Sequence, residues 1–138
     1  MKLFLVLLML AAGFQLSSST FFRASGILHC YEGRRWCFHA FLVEKMLLTY
    51  DQIDHQGIHC TDSAMLPYHL EGKQETGILQ KTFTIQLHIK HNCSRYGTVR
   101  VIQSRTKDVP VEQEFFEFNP SYDFTQTEGI GEVVKDLY

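Results

Sequence analysis

A single strand pattern constrains the fold of this chain more than any other feature. Phe83, Ile85, Leu87 and Ile89 alternate with polar residues, and the run then leads directly into Cys93. Alternation with a period of two places these apolar side chains on one face of an extended strand. A shift of one residue would turn all of them toward water, so the pattern predicts a strand with a fixed register and one buried face.

The start of the chain has the composition of a secretory signal peptide. Lys2 precedes a ten-residue apolar run, Leu3 to Ala12, which small and polar residues follow. A membrane-spanning helix needs about 18 to 20 continuous apolar residues, so this run is too short to be one. We therefore predict a signal peptide at 1–19 and one secreted, extracellular domain at 20–138. A cut after Gly13 is the alternative to the cut after Ser19.

The charge of the mature chain is weakly acidic. Once Lys2 is removed, 12 Lys and Arg residues stand against 15 Asp and Glu residues. Arg34 and Arg35 form the only adjacent basic pair after the leader. This balance lacks the basic patch that binds nucleic acid or an anionic membrane. The sequence therefore predicts neither a nucleic-acid partner nor a transmembrane segment.

Strand patterns recur at short intervals along the rest of the chain. Turn-forming residues separate them, including an acidic stretch at 50–57 that we interpret as a loop. The segments with strand composition are 25–31, 37–48, 67–72, 83–91, 98–103 and 112–118. The continuous apolar run at 38–48 also fits a buried helix, but its β-branched and aromatic residues favour a strand. We expect an antiparallel all-β sandwich or barrel.

Four cysteines follow the predicted leader, namely Cys30, Cys37, Cys60 and Cys93. An even number in a small secreted domain indicates two disulfides, and spacing alone does not distinguish the three possible pairings. For Cys37 and Cys60 the alternative is a pair of reduced, buried thiols.

A metal site is a second use for these cysteines. The histidines near them in sequence are His29, His55, His59 and His91. Their spacing matches no common zinc framework, and we predict no metal site. A nucleophilic cysteine beside His59 would have to stay reduced in an oxidising compartment. Catalytic motifs such as G-x-S-x-G and a glycine-rich phosphate loop are also absent, so we predict no enzyme activity and no cofactor.

Two surface features are candidates for modification or binding. Asn92-Cys93-Ser94 is an N-x-S glycosylation sequon, whereas proline disqualifies Asn119. Arg34, Arg35 and Trp36 form a candidate partner surface, because tryptophan and arginine are enriched in interfaces. The alternative for Trp36 is a place in the core.

Several short motifs also follow one another in a distinctive order. They are Gly26-Ile27-Leu28-His29-Cys30, Val43-Glu44, Thr61-Asp62, Tyr68-His69-Leu70-Glu71-Gly72, Ile85 to Cys93, and Tyr122-Asp123. In this order they cover almost the whole mature chain, which resembles the nematode transthyretin-like secreted proteins. The resemblance implies a transthyretin-like, or prealbumin-like, Greek-key β-sandwich of seven or eight strands.

The chain departs from that family in one turn and in its cysteines. Pro67 stands in a turn where members usually have a glycine, and two further cysteines of the family are absent. The resemblance therefore implies the disulfides Cys30–Cys93, at the two shared positions, and Cys37–Cys60, at two positions that the family lacks.

The resemblance also leads to a functional expectation. It implies a secreted, non-catalytic binding or adaptor protein whose partner is an extracellular protein or a lipid-surface ligand, with oligomers possible. One alternative is a hydroxyisourate hydrolase, because the same fold performs that reaction with channel histidines and an arginine. Those enzymes end in Y-R-G-S, whereas this chain ends in EVVKDLY, Glu132 to Tyr138. The other alternative is a secreted metal-binding protein.

Overall fold

The computed structural model describes residues 18–138, and almost all of the predicted signal peptide at 1–19 lies outside them. The described residues form β1 (Ser19–His29), β2 (Trp36–Lys45), β3 (Tyr50–Thr61), β4 (Met65–Glu75), β5 (Thr82–His91), β6 (Arg100–Gln103), β7 (Lys107–Pro110), β8 (Phe115–Phe118), β9 (Tyr122–Asp123) and β10 (Glu132–Val133). The expected all-β fold is confirmed. Within 18–138 no helix is long and apolar enough to cross a membrane.

The strands form two sheets. The first has the order β4-β1-β8, with β9 also paired to β1; the second has the order β10-β6-β5-β2-β3, with β7 also paired to β5. β6 and β7 pair with successive parts of β5, and β8 and β9 pair with successive parts of β1. β8 and β9 run parallel to β1, so the expectation of an entirely antiparallel sandwich is wrong there, because the chain crosses from the second sheet to the first between β7 and β8. The described residues thus form ten strands instead of the expected seven or eight. The difference arises because β6 and β7 share one position beside β5, and β8 and β9 share one position beside β1.

The core lies between the two sheets. Phe83, Ile85, Leu87 and Ile89 of β5 are completely buried there, as the alternation predicts. The ring of Phe22 from the first sheet meets that of Phe83 edge to face, with 5.3 Å between centroids. The register of β5 is therefore fixed by the apolar face that it buries.

The segment at 50–61 is a strand, so our interpretation of 50–57 as a loop is wrong. β3 lies at the edge of the second sheet, and most of its side chains are exposed or half-buried. An edge strand without a continuous buried face has no need of apolar alternation, which removes the sequence signal. Two β-bulges, at Gln56 beside Gly57 (φ 76°) and at Ile53, interrupt the period further. β7 was missed for a similar reason, since only Val109 of its four residues is buried.

The predicted cleavage site lies close to the start of β1. Ser19 is the first residue of that strand, and the Ser18 carbonyl accepts a hydrogen bond from the Thr76 amide at 3.0 Å. A cut after Ser19 would remove both contributions, whereas a cut after Gly13 would leave the strand whole. The position of the cut stays a prediction.

The two disulfides are those that the family resemblance implies. Cys30–Cys93 joins the end of β1 in the first sheet to the segment after β5 in the second. Cys37–Cys60 joins residues that lie directly opposite each other on β2 and β3. Cys37 and Cys60 are therefore bonded rather than reduced.

His91 is a buried histidine at the disulfide-linked end of the sandwich. It is 3% exposed, its ring stacks on Phe124 with 3.8 Å between centroids, and among the residues that the structure describes neither ring nitrogen has a hydrogen-bond partner of good geometry. Burial, helped by the nearby charge of Arg100, lowers the pKa of His91 to about 4, and the backbone of Cys93 opposes this only in part. The folded protein therefore holds His91 in the neutral form.

The first prediction concerns the buried face of β5. Replacing Leu87 with Ala should lower the free energy of unfolding by about 2 to 5 kcal/mol, because the side chain is completely buried. Leu47→Ala is the matched control, since Leu47 is 95% exposed and should change stability by less than about 0.5 kcal/mol. Urea denaturation measures both, and equal effects would contradict the assignment of Leu87 to the core.

The second prediction concerns the two disulfides. Cys30–Cys93 spans 63 residues and Cys37–Cys60 spans 23. By loop-closure entropy they contribute roughly 4 and 3 kcal/mol, so the double Cys→Ser variant of the first pair should lose more stability. Peptide mapping without reductant checks the pairing, and a peptide joining Cys30 to Cys37 or Cys60 would refute it.

The third prediction concerns pH. In the unfolded chain His91 takes up a proton below its ordinary pKa of 6.5, whereas the folded protein resists this down to about pH 4. Keeping His91 neutral therefore costs the folded protein no stability above pH 6.5. As the pH falls from 6.5 toward 4, the free energy of unfolding decreases by up to about 3 kcal/mol.

His91→Phe tests this directly, because phenylalanine keeps the stacked ring and removes both unpartnered nitrogens. We expect the variant to show a flatter dependence of unfolding free energy on pH between 6.5 and 4. His59→Gln is the control, as it removes a histidine that is exposed and forms no ion pair within the described residues. An unchanged slope in the His91→Phe variant would show that His91 is not the group responsible.

Candidate functional site

The surface predicted at the β1–β2 turn is only partly present. Trp36 is 1% exposed, and its Nε1 donates a hydrogen bond to the Ser63 carbonyl at 2.8 Å. Its prediction as a partner-surface residue is therefore wrong, because the indole belongs to the core. Arg34 and Arg35 are exposed, and the guanidinium of Arg35 forms an ion pair of 3.4 Å with Asp62.

The Asn92 sequon lies where β5 leaves the sheet. The side-chain oxygen Oδ1 of Asn92 accepts a hydrogen bond from the Cys37 backbone amide at 2.7 Å. The backbone amide of Asn92 donates to the Cys37 carbonyl at 3.2 Å. Cys93 and Ser94 are buried. The folded domain thus uses Asn92 to extend the pairing of β2 and β5 and presents the sequon poorly, and glycosylation there stays a prediction.

The histidines considered as metal ligands are dispersed. His29 contacts Tyr31, His59 stacks on Phe38, and His91 is buried against Phe124. All four cysteines are in disulfides. In the part of the chain that the structure describes, no three His, Cys, Asp or Glu residues are grouped as a metal site would require.

A different cluster occupies the outer face of the second sheet. Residues His39 and Phe41 of β2, His55 of β3, and His88 and Lys90 of β5 form what we call the histidine face. Strand register brings them together, since Lys90 lies opposite His39, and Phe41 lies opposite both His88 and His55. These side chains point away from the core because they alternate with its buried residues.

The protonation of two of these histidines is fixed by hydrogen bonds. A carbonyl oxygen can only accept, so Nδ1 of His39 donates to the Leu137 carbonyl at 2.7 Å. His39 is 8% exposed, and burial lowers its pKa although the Leu137 carbonyl opposes this. The neutral ring then accepts at Nε2 from Nδ1 of His55, at 3.1 Å. Nε2 of His55 is left as an acceptor at an exposed residue.

Residues 134–138, which follow β10, lie against this face. Val134 donates a backbone hydrogen bond to the Val99 carbonyl at 3.0 Å, Leu137 accepts from His39, and the Tyr138 carbonyl accepts from the Lys90 ammonium. Leu137 is partly buried. The face therefore holds a peptide backbone through its carbonyl groups.

The remaining contacts stiffen the histidine face. The Lys90 ammonium lies 5.7 Å from the ring centre of Phe41, and the Phe41 and His39 rings are 4.0 Å apart. Nε2 of His88 donates to Gln86 Oε1 at 3.0 Å, and burial lowers the pKa of His88. The face thus offers three imidazole rings, one aromatic ring and one cation in fixed positions.

The sequence contains a signal for the histidine face that we did not use. His39 and Phe41 alternate with Phe38, Ala40 and Leu42, but the run looks continuously apolar because Phe41 is itself apolar. Period-2 alternation in β2 and β5 would have placed their outer residues on one surface. The sequence did not reveal that His55 joins this face, because we interpreted residues 50–57 as a loop.

Comparison with known proteins places this chain in a family. A family model described as "Caenorhabditis elegans protein of unknown function (DUF870)" matches residues 25–126, which include both disulfides and the whole histidine face. A Caenorhabditis elegans protein described as uncharacterized is 30% identical over 81 residues, which are 58% of this chain. The match spans 61% of that relative's length. The chain thus belongs to the DUF870 family.

Proposed function

We propose that the protein is a secreted, non-catalytic binding protein on a transthyretin-like Greek-key sandwich, and that the histidine face binds its partner. The observation that carries this proposal is the way in which the face holds the chain's own last residues. His39 donates to the Leu137 carbonyl, and Lys90 donates to the main-chain oxygen of Tyr138. The same donors suit an extended segment of an extracellular protein, which would replace the tail or lie beside it.

Secretion is supported by two independent features. The predicted leader at 1–19 would direct export. The protein also has two disulfides, and disulfides form and persist mainly in oxidising compartments. The sandwich of two sheets and the Cys30–Cys93 pair agree with the expected transthyretin-like architecture.

The chemistry of the face favours binding through main-chain groups and one apolar side chain. Donors on His39 and Lys90 match backbone carbonyls, and the exposed acceptor of His55 matches a backbone amide. Phe41 supplies an aromatic surface between them. Rigid aromatic groups with satisfied polar neighbours are typical of binding surfaces.

The hydrolase alternative has one observation in its favour, the two contacting histidines on a sheet face. A hydrolase would turn over hydroxyisourate well above the spontaneous rate, and such turnover by the purified protein would contradict our proposal. Loss of that turnover in a His39→Phe variant would assign it to this face.

The fourth prediction tests the histidine face by capture from extracellular fluid. A His55→Phe, Lys90→Met double variant removes one acceptor and one cation while keeping a planar ring and a long side chain. Loss of a hydrogen bond to a charged group weakens binding by about tenfold or more, so the variant should capture much less of the wild-type partner.

Arg34→Met with Arg35→Met is the matched control, because these exposed arginines belong to the surface predicted from sequence. It should capture the partner as the wild type does. The opposite result, with capture lost in the arginine variant and kept in the histidine-face variant, would move the binding surface to the β1–β2 turn.

A further inference from the structure

Residues 132–138, which we call the tail, run from one edge of the second sheet onto the histidine face. The first two residues of the tail form β10 and pair with Arg100 and Val101, on the edge of β6 that β5 leaves open. The tail then passes over β6 and β5 to β2, where the Leu137 carbonyl accepts from His39 at 2.7 Å. The edge of β6 and the histidine face therefore form one groove that an extended segment occupies.

The groove holds the tail through main-chain groups. The Val134 amide donates to the Val99 carbonyl at 3.0 Å, and the Lys90 ammonium donates to the main-chain oxygen of Tyr138. With the bond from His39, the tail is thus bound by its backbone at three points. Main-chain hydrogen bonds do not depend on the side chains of the bound segment. The same groove therefore suits extended segments of other sequence.

The side chains of the tail add little to its attachment. Val133 is 55% exposed and Tyr138 is 85% exposed, and Lys135 and Asp136 are exposed as well. Val134 and Leu137 are partly buried. Segments that bury little apolar surface open at a much lower free energy than the core of the same protein. The tail can consequently leave the groove while the sandwich stays folded.

Two glycines precede the tail and provide a hinge. Gly129 and Gly131 have φ angles of 84° and 94°, which glycine adopts without strain. A Cβ atom at Gly131 would collide with the Val101 carbonyl oxygen, so only glycine lets the chain approach β6 this closely. Small residues of this kind absorb the backbone change when a segment moves. Opening at the glycines leaves the strands of the sandwich in place.

Departure of the tail would expose groups that need a new partner. The edge of β6 would lose its neighbour β10, and Nδ1 of His39 would lose its acceptor. An open strand edge is a template on which another extended chain pairs. His39 is 8% exposed, so an unmet donor there is costly and favours refilling of the groove.

We propose that the tail is a displaceable occupant of this groove, and that the partner enters the groove as an extended protein segment with the pattern of the tail. The inference rests on the function proposed for the histidine face. The pattern consists of β-branched residues at the positions of Val133 and Val134, which suit pairing with β6, and an aliphatic residue at the partly buried position of Leu137. Because the tail is attached to the groove, it competes at an effective concentration of about millimolar.

The fifth prediction tests the groove with the full chain and a labelled synthetic peptide of residues 132–138. A Val134→Pro, Leu137→Ser variant, which we call the release variant, removes one amide donor and one aliphatic side chain from the attached tail. Fluorescence anisotropy should show that it binds the peptide about tenfold more tightly than the wild type does, because its groove is open for a larger fraction of the time. Leu137→Ser alone should give a smaller increase.

Lys135→Ser with Tyr138→Ser is the matched control, because it changes two exposed side chains of the tail and keeps the main-chain contacts. It should bind the peptide as the wild type does. Adding Lys90→Met to the release variant should weaken peptide binding about tenfold, because one bond from a charged donor is lost. Urea denaturation should show a cooperative transition for every variant. Equal peptide binding by the wild type and the release variant, or no binding by either, would overturn the inference.

Capture of the partner from extracellular fluid separates this inference from the function on which it rests. The release variant should capture more partner than the wild type does. Equal capture by these two proteins, with capture lost in the His55→Phe, Lys90→Met variant, would mean that the partner binds beside the tail. That result would overturn the displacement of the tail and keep the histidine face as the binding surface. Capture that does not depend on the histidine face would instead overturn the proposed function, whatever the peptide does.

Discussion

The Cys30–Cys93 disulfide joins the two sheets covalently, and the organisation of the sandwich depends on it. It links the end of β1 to the end of β5, beside the buried rings of Trp36, His91 and Phe124. A disulfide that closes a long loop removes more conformational freedom from the unfolded chain than one that closes a short loop. This bond therefore favours the folded state in addition to what side-chain packing contributes. Stacking on Phe124 offsets part of the cost of burying His91, whose nitrogens have no partner of good geometry among the described residues.

The two ends of the sandwich consequently have different properties. One end is closed by the inter-sheet disulfide and aromatic rings. At the other, Glu44 is buried but satisfied by two glutamine amides, and it holds two turns whose tips are apolar and exposed. A buried carboxylate requires such partners, because an unpaired charge in the interior is unstable. Glu44 and its two glutamine partners therefore hold the β2–β3 and β4–β5 turns in fixed positions.

The outer face of the second sheet adds a polar surface to this frame. Its hydrogen bonds run in one direction, from His55 to His39 and from His39 to the Leu137 carbonyl. The Leu137 carbonyl sets the tautomer of His39, and the His39 ring sets the tautomer of His55. A bound segment that replaced the tail carbonyl would keep this arrangement, and one that offered a donor would reverse it. The tautomers of both rings therefore depend on whether the group at the position of the Leu137 carbonyl accepts or donates a hydrogen bond.

The sequence by itself determined the elements with a buried face and the number of cysteines available for bonding. The alternation from Phe83 to Ile89 identified β5 and its register, because burial of one face requires that period. The tertiary structure alone decided which polar residues meet. β3 at 50–61 has no buried face to record in its sequence, so the contact of His55 with His39 was invisible. Trp36 was likewise decided by packing, because an indole suits an interface or a core and only the surrounding atoms select between them.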